Sequence, residues 1–132
     1  MLGAEGKVGK NWLIKDGVKY CRPMNDSTEV RKVLVTGSAG RVGQAVVLEL
    51  LSRGHLVQGY DRHPTPKLDN AFMADLSDTE TLAKAMDGVE TLVHLAATPD
   101  DVDDVPSELF PPNINSLYHV METARVSGVR RI

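Results

Sequence analysis

Val33-Leu34-Val35-Thr36-Gly37-Ser38-Ala39-Gly40-Arg41-Val42-Gly43 sets a short apolar run of buried-strand type directly before three regularly spaced glycines. Val42, Ala45, Val46 and Leu50 then recur at helical spacing until Gly54, so the stretch reads as strand, turn, helix. In that order each glycine has a physical task. Gly37 permits the tight turn, Gly40 lets the backbone approach a pyrophosphate, and Gly43 allows the helix to pack closely on the strand. The first helical residues, Arg41, Val42 and Gly43, bring unpaired N–H groups and the positive end of the helix dipole to the same place. Three such glycines also occur as a plain structural turn, but the strand before and the amphipathic helix after favour dinucleotide binding.

Outward from this turn the periods keep alternating. His55–Tyr60 reads as a second strand and Ala71–Met73 as a short third one. Ser77-Asp78-Thr79-Glu80 has capping-box spacing, Leu82, Ala85 and Met86 supply an apolar helix face, and Gly88 stops that helix. Thr91–Leu95 is the next strand. After an acidic, proline-containing loop, Ile114, Leu117, Met121 and Ala124 return at helical spacing, with Gly128 as the stop and Val129–Ile132 as the beginning of a fifth strand. Strands separated by helices of this length specify a parallel sheet covered on both faces, because each parallel crossover needs a helix to carry the chain back. The expected class is α/β, a Rossmann-like doubly wound parallel sheet cut at the start of its fifth strand. On that ground the chain is expected to be the N-terminal part of something longer.

Asp61 follows the second strand, 18 residues after Gly43, near the distance at which an acidic residue accepts hydrogen bonds from the adenosine ribose. Its charge would repel the 2′-phosphate of NADP, which favours NAD, although Arg62 beside it offsets part of this. The plainer reading is a solvated turn aspartate before Arg62-His63-Pro64.

Residues 1–23 differ from the rest. They carry five basic and two acidic side chains against ten and sixteen in residues 24–132, within a net charge of −3 over 132 residues. Trp12-Leu13-Ile14 and Val18-Lys19-Tyr20-Cys21 flank Lys15-Asp16-Gly17, a hairpin signal, and Pro23–Ser27 reads as a linker. The expected division is an extension and linker over 1–30 and an incomplete dinucleotide-binding domain over 31–132. The negative balance argues against nucleic acid. No apolar run reaches the ~18 residues of a membrane span and no signal-peptide core is visible, so a cytoplasmic, membrane-free protein is expected. The single cysteine, Cys21, leaves neither an intrachain disulfide nor a metal spacing. Asp100, Asp101, Asp103 and Asp104 read as a solvated loop.

Taken in order, these motifs resemble those of the extended short-chain dehydrogenase/reductases, also called the NAD-dependent epimerase/dehydratase family. The resemblance spans residues 32–132. Thr36–Gly43 matches the family's T-G-x-x-G-x-x-G, and Asp75-Leu76 resembles the pair whose carboxylate and backbone hold adenine. His94-Leu95-Ala96-Ala97 resembles the H-x-A-A segment lining the cofactor, with Leu95, Ala96 and Ala97 as its contacts. Asn113, with Glu122-Thr123-Ala124-Arg125, Gly128 and Arg130, is similar to the helix preceding the catalytic strand. Glu108-Leu109-Phe110-Pro111-Pro112-Asn113-Ile114 and Tyr118 look most like uronate dehydrogenases and their sugar-oxidising neighbours.

Local readings stand beside several of these. Asp75 also fits a strand end, His94 fits a local hydrogen bond better than a base, and Asn113 fits a helix N-cap as well as a helix support. The resemblance implies NAD as cofactor, a sugar or sugar-acid substrate, and a homodimer as the assembly to consider. It also implies a Tyr-x-x-x-Lys pair for proton transfer. Tyr20, Tyr60 and Tyr118 are followed four residues on by Met24, Pro64 and Glu122, and Ser127 precedes the strand that the catalytic serine should follow. No catalytic residue is therefore assigned, and a cofactor-sensing regulator on the same fold is the alternative reading.

Overall fold

The computed structural model describes residues 12–15, 18–21, 29–98 and 106–132. The linker residues 23–27 and the acidic cluster 100–104 lie outside them, as does the Asp16-Gly17 turn. β1 (Trp12–Lys15) and β2 (Val18–Cys21) pair antiparallel with Lys15 opposite Val18, the two-residue hairpin that Asp-Gly signals.

The main sheet is built from β3 (Lys32–Thr36), β4 (Leu56–Asp61), β5 (Ala71–Met73) and β6 (Thr91–His94), all parallel, in the order β5-β4-β3-β6. α1 (Arg41–Ser52) carries β3 to β4, α2 (Thr79–Met86) carries β5 to β6 and α3 (Pro106–Val126) follows β6, whereas residues 62–70 join β4 to the parallel β5 without the helix expected there. Successive side chains of a strand face opposite sides, so β3 contributes to two separate cores. Val33 and Val35 pack with Val46, Val47 and Leu50 of α1, while Leu34 packs with Leu82, Ala85 and Met86 of α2 and Val120 and Ala124 of α3. Both faces are covered, which is the doubly wound arrangement expected. Beyond β6, Arg131 makes a parallel bridge to Thr91, and the Leu92 N–H donates to the Arg131 carbonyl at 2.9 Å.

Three readings need correction. The buried side of α1 is Gly43 and Val47 with Val46 and Leu50 behind them; Val42 is 64% exposed and Ala45 is exposed too. A template counting only large apolar residues turned the helix, because its nearest approach to the strand is through a glycine. The cap of α2 is Asp78, whose carboxylate accepts the Thr81 N–H at 3.0 Å, whereas Ser77 is engaged by Asp75. α3 starts seven residues before Asn113 and runs through Pro111 and Pro112, so Asn113 is not its N-cap. Its inward positions are Val120 and Ala124, while Ile114, Leu117 and Met121 are exposed.

Candidate functional site

β3 is central, with the chain running outward through β4 and β5 on one side and returning to β6 on the other. Between the carboxyl ends of β3 and β6 the direction of winding reverses, and in open α/β sheets that is where a crevice opens. A cavity of about 560 Å³ lies at these strand ends. Gly37, Gly40, Asp61, Asp75, Leu76, Leu95, Ala96, Ala97 and Asn113 all line it. Arg41, Val42 and Gly43 do not, and they follow the turn into the first coil of α1.

The glycine turn is shaped by two close approaches. Gly37 has φ +71°, a conformation strained for any residue with a Cβ, and a Cβ there would also meet the Ala96 nitrogen at 2.7 Å. At Gly43 a Cβ would stand 2.0 Å from the Gly37 carbonyl oxygen, which the helix touches as it packs. Gly40 differs: its φ is −70°, and the sole close neighbour of a Cβ would be the Gly37 carbonyl at 3.3 Å. Neither conformation nor internal packing demands a glycine at this cavity wall as strongly. α1 has no side-chain cap and no acidic residue in its first turn, and its first backbone bond is Gln44 N–H to the Gly40 carbonyl. The amides of Arg41, Val42 and Gly43 are thus the free donors of the helix mouth, and nothing negative on the helix competes for them.

Asp61 is held with its side chain 13% exposed. Its Oδ2 accepts the Ala39 N–H at 3.0 Å and its Oδ1 the His63 N–H at 2.9 Å. The carboxylate is therefore not a solvated turn residue; it ties the end of β4 to the glycine turn and keeps further lone pairs for a ligand. A second tie runs between the buried Ser38 and Thr65 hydroxyls, 2.5 Å apart.

Asp75 Oδ1 accepts both the Ser77 N–H at 2.9 Å and the Ser77 hydroxyl at 2.7 Å. These bonds hold its carboxyl below the usual carboxylate range, helped by the charge of Arg62. Tyr60 is fully buried and donates to the Asp75 carbonyl at 2.8 Å. Burial, with the Asp78 and Asp75 carboxylates adding, pushes its phenol up to about 12, so it is a fixed donor and no proton shuttle at neutral pH.

At the other wall, Thr36 Oγ1 accepts from the Leu95 and Ala96 amides at 3.2 and 3.4 Å. With its lone pairs so used, it gives its own proton to His94 Nδ1 at 2.6 Å, which leaves the neutral ring's proton on Nε2. Burial also lowers the His94 pKa. His94 is a tie between β6 and β3, as the local reading had it. Asn113 bridges to one residue: its Oδ1 accepts the Thr98 N–H at 2.7 Å and its Nδ2 donates to the Thr98 carbonyl at 3.1 Å. This pins α3 to the loop after β6.

The sequence reading did not assign cavity positions to Ser116 and His119, among others. Their signal was present as spacing: Asn113, Ser116 and His119 recur every three residues and form a polar stripe where only an apolar one was sought. Among the described residues no three His, Cys, Asp or Glu side chains gather as metal ligands, and no helix is long and apolar enough to cross a membrane.

A parallel sheet with a glycine turn, a free helix N-terminus and a carboxylate at the end of the neighbouring strand defines a dinucleotide-binding Rossmann-type protein. The NAD dependent epimerase/dehydratase family matches residues 33–132, and the chain belongs to it. Among its curated relatives, 3 beta-hydroxysteroid dehydrogenase/Delta 5-->4-isomerase of Mycobacterium tuberculosis is 34% identical over 124 residues, covering 83% of this chain and 33% of the relative. A short-chain dehydrogenase/reductase superfamily protein from Agrobacterium tumefaciens with bound NAD superposes with a TM-score of 0.66 at 34% identity, over 74% of this chain and 30% of the other. Uronate dehydrogenase from the same organism gives 0.62 at 27% identity, over 75% and 38%. The chain thus spans about a third of the length of these proteins.

Proposed function

We propose that this chain is the NAD-binding part of an oxidoreductase or epimerase acting on a sugar or sugar acid. The observation that carries the cofactor is Gly40, which faces the cavity at the mouth of α1 and whose lack of a side chain makes room there for a pyrophosphate. In this reading the Arg41, Val42 and Gly43 amides bind the phosphates and Asp61 accepts from the adenosine ribose hydroxyls. Asp75 and the Leu76 backbone hold adenine, and Leu95, Ala96 and Ala97 form the floor beneath the rest of the dinucleotide. When bound, NAD supplies the acceptor for a hydride taken from the substrate. Asn113 keeps the α3 wall in place through Thr98.

The sugar substrate is supported by the likeness of Glu108–Ile114 and Tyr118 to uronate dehydrogenases and by the uronate dehydrogenase neighbour. A hydroxysteroid is the second substrate class, on the strength of the Mycobacterium relative. The proton-transfer pair is not among Tyr20, Tyr60 and Tyr118, none of which has a lysine four residues on. Calorimetry on the purified protein tests the cofactor: NAD is expected to bind about tenfold or more tighter than NADP, ~1.4 kcal/mol. Failure of both to bind would overturn the reading. Turnover of a uronate against a 3β-hydroxysteroid by the complete protein decides the substrate class.

A further inference from the structure

His119 stands on α3 in the same cavity as Asp75, Leu76 and Ser77. It lies near the Asp75 carboxylate. Its Nδ1 is sealed from solvent and has no hydrogen-bond partner among the described residues. A neutral imidazole carries one N–H. Burying an unpartnered N–H is rarer in proteins than leaving an acceptor lone pair unused, so the proton belongs on Nε2. The ring's orientation is steadied by Tyr118, whose ring packs edge-to-face against it with centroids 6.1 Å apart. α3 therefore brings a donor, and the loop after β5 an acceptor, to one cavity. Adenine carries the complementary pair on either of its polar edges: a 6-amino donor beside a ring-nitrogen acceptor, N1 or N7.

We propose that His119 reads the adenine of the bound dinucleotide, donating from Nε2–H to a ring nitrogen while Asp75 accepts from the 6-amino group. This rests on the NAD-binding reading above and adds to it a base-recognising residue on α3. It also accounts for the unpartnered Nδ1: the ring gives up a bond on one nitrogen to present the other to the ligand.

The test compares stability with binding, because a merely structural histidine would lose both together. His119→Phe keeps a ring of similar size and removes the orphaned nitrogen along with the donor. Its thermal midpoint is expected to rise by about 3 °C while NAD and ADP affinity both fall roughly tenfold. His119→Gln, which restores an amide donor, is expected to return both affinities to within about threefold of the parent. Parental affinity in His119→Phe would overturn the proposal, and so would a loss confined to NAD with ADP unaffected, since ADP carries only the adenosine half. A drop in midpoint accompanied by the binding loss, without rescue by glutamine, would assign His119 to packing. Should the phenylalanine variant not fold, His119→Leu carries the same comparison. Failure of the parent protein to bind either NAD or ADP is a different result, which removes the cofactor reading itself.

Discussion

On the strand side of the cavity the chain satisfies its own polar groups: Asp61 takes the Ala39 and His63 amides, Ser38 pairs with Thr65, and Thr36 with His94. On the α3 side, among the described residues, the anchor is Asn113 to Thr98. There His119 keeps an unpartnered nitrogen, and Ile114, Leu117, Tyr118 and Met121 are left exposed. Shape is fixed in advance on the strand wall, while the α3 wall keeps groups without partners of their own. The strand wall is preorganised by hydrogen bonds that tie neighbouring strand ends and the glycine turn to one another across long stretches of sequence. Substitutions there should divide into those that damage the protein and those that damage only its ligand.

The largest effect is expected at Gly43. Even Gly43→Ala drives a Cβ against the Gly37 backbone, so stability should fall by about 3 kcal/mol in a urea titration. A parental unfolding midpoint would show that α1 can withdraw from the strand at little cost.

Gly40→Val should separate the two kinds of damage. Its side chain would occupy the pyrophosphate position, so NAD affinity is expected to drop by about a hundredfold, ~2.7 kcal/mol, with helix content by circular dichroism unchanged. Binding at parental strength would make this glycine structural like its neighbours.

Asp61→Ala should show both effects at smaller size. Losing the ribose acceptor should narrow the NAD preference over NADP by about tenfold, and the Ala39 and His63 amides left unpartnered should cost ~1–3 kcal/mol. An unchanged preference, measured by calorimetry with both cofactors, would reduce Asp61 to a tie.

The smallest effect should come from removing residues 1–23, which carry no part of the family resemblance. The midpoint should move by less than about 2 °C and NAD affinity by less than about twofold. A large loss in either would join the hairpin segment to the working domain.

The alternation of strands and helices was legible because buried β3 and the stop glycines Gly54, Gly88 and Gly128 punctuate the chain strongly. Gly37 and Asp61 were legible as positions at the strand ends because a close backbone approach and a carboxylate closing a strand leave few substitutes, whereas Gly40 was legible from its spacing alone. The α1 face was misread because Gly43 carries no hydrophobic signal yet makes the nearest contact. Ser77 was preferred to Asp78 as a cap because Glu80 stands three residues after it whereas Thr81 follows Asp78 at that distance, and only the three-dimensional claim of Asp75 on Ser77 reverses the choice. The start of α3 was hidden by Pro111 and Pro112, since proline usually marks a boundary and each removes a main-chain donor. His119 was passed over because an isolated histidine says nothing until the fold sets it beside Asp75.

Sheet order also bears on how the chain assembles. β3 is the first strand of the main sheet to be synthesised and lies at its centre, but its partners come later: Val33 pairs with Val57 and then with Thr91. Pairings this distant in sequence must close long loops before they return any stabilisation. During synthesis, therefore, one edge of β3 stays open until β6 has left the ribosome, and the glycine turn cannot reach its final shape, because Gly37 rests against Ala96. Pulse-labelling hydrogen exchange during refolding should find the Gly37 amide, which donates to the Tyr60 carbonyl of β4 at 2.9 Å, protected before the Leu95 amide, which donates to the Thr36 carbonyl of β3 at 3.1 Å; protection of Leu95 first would contradict this order.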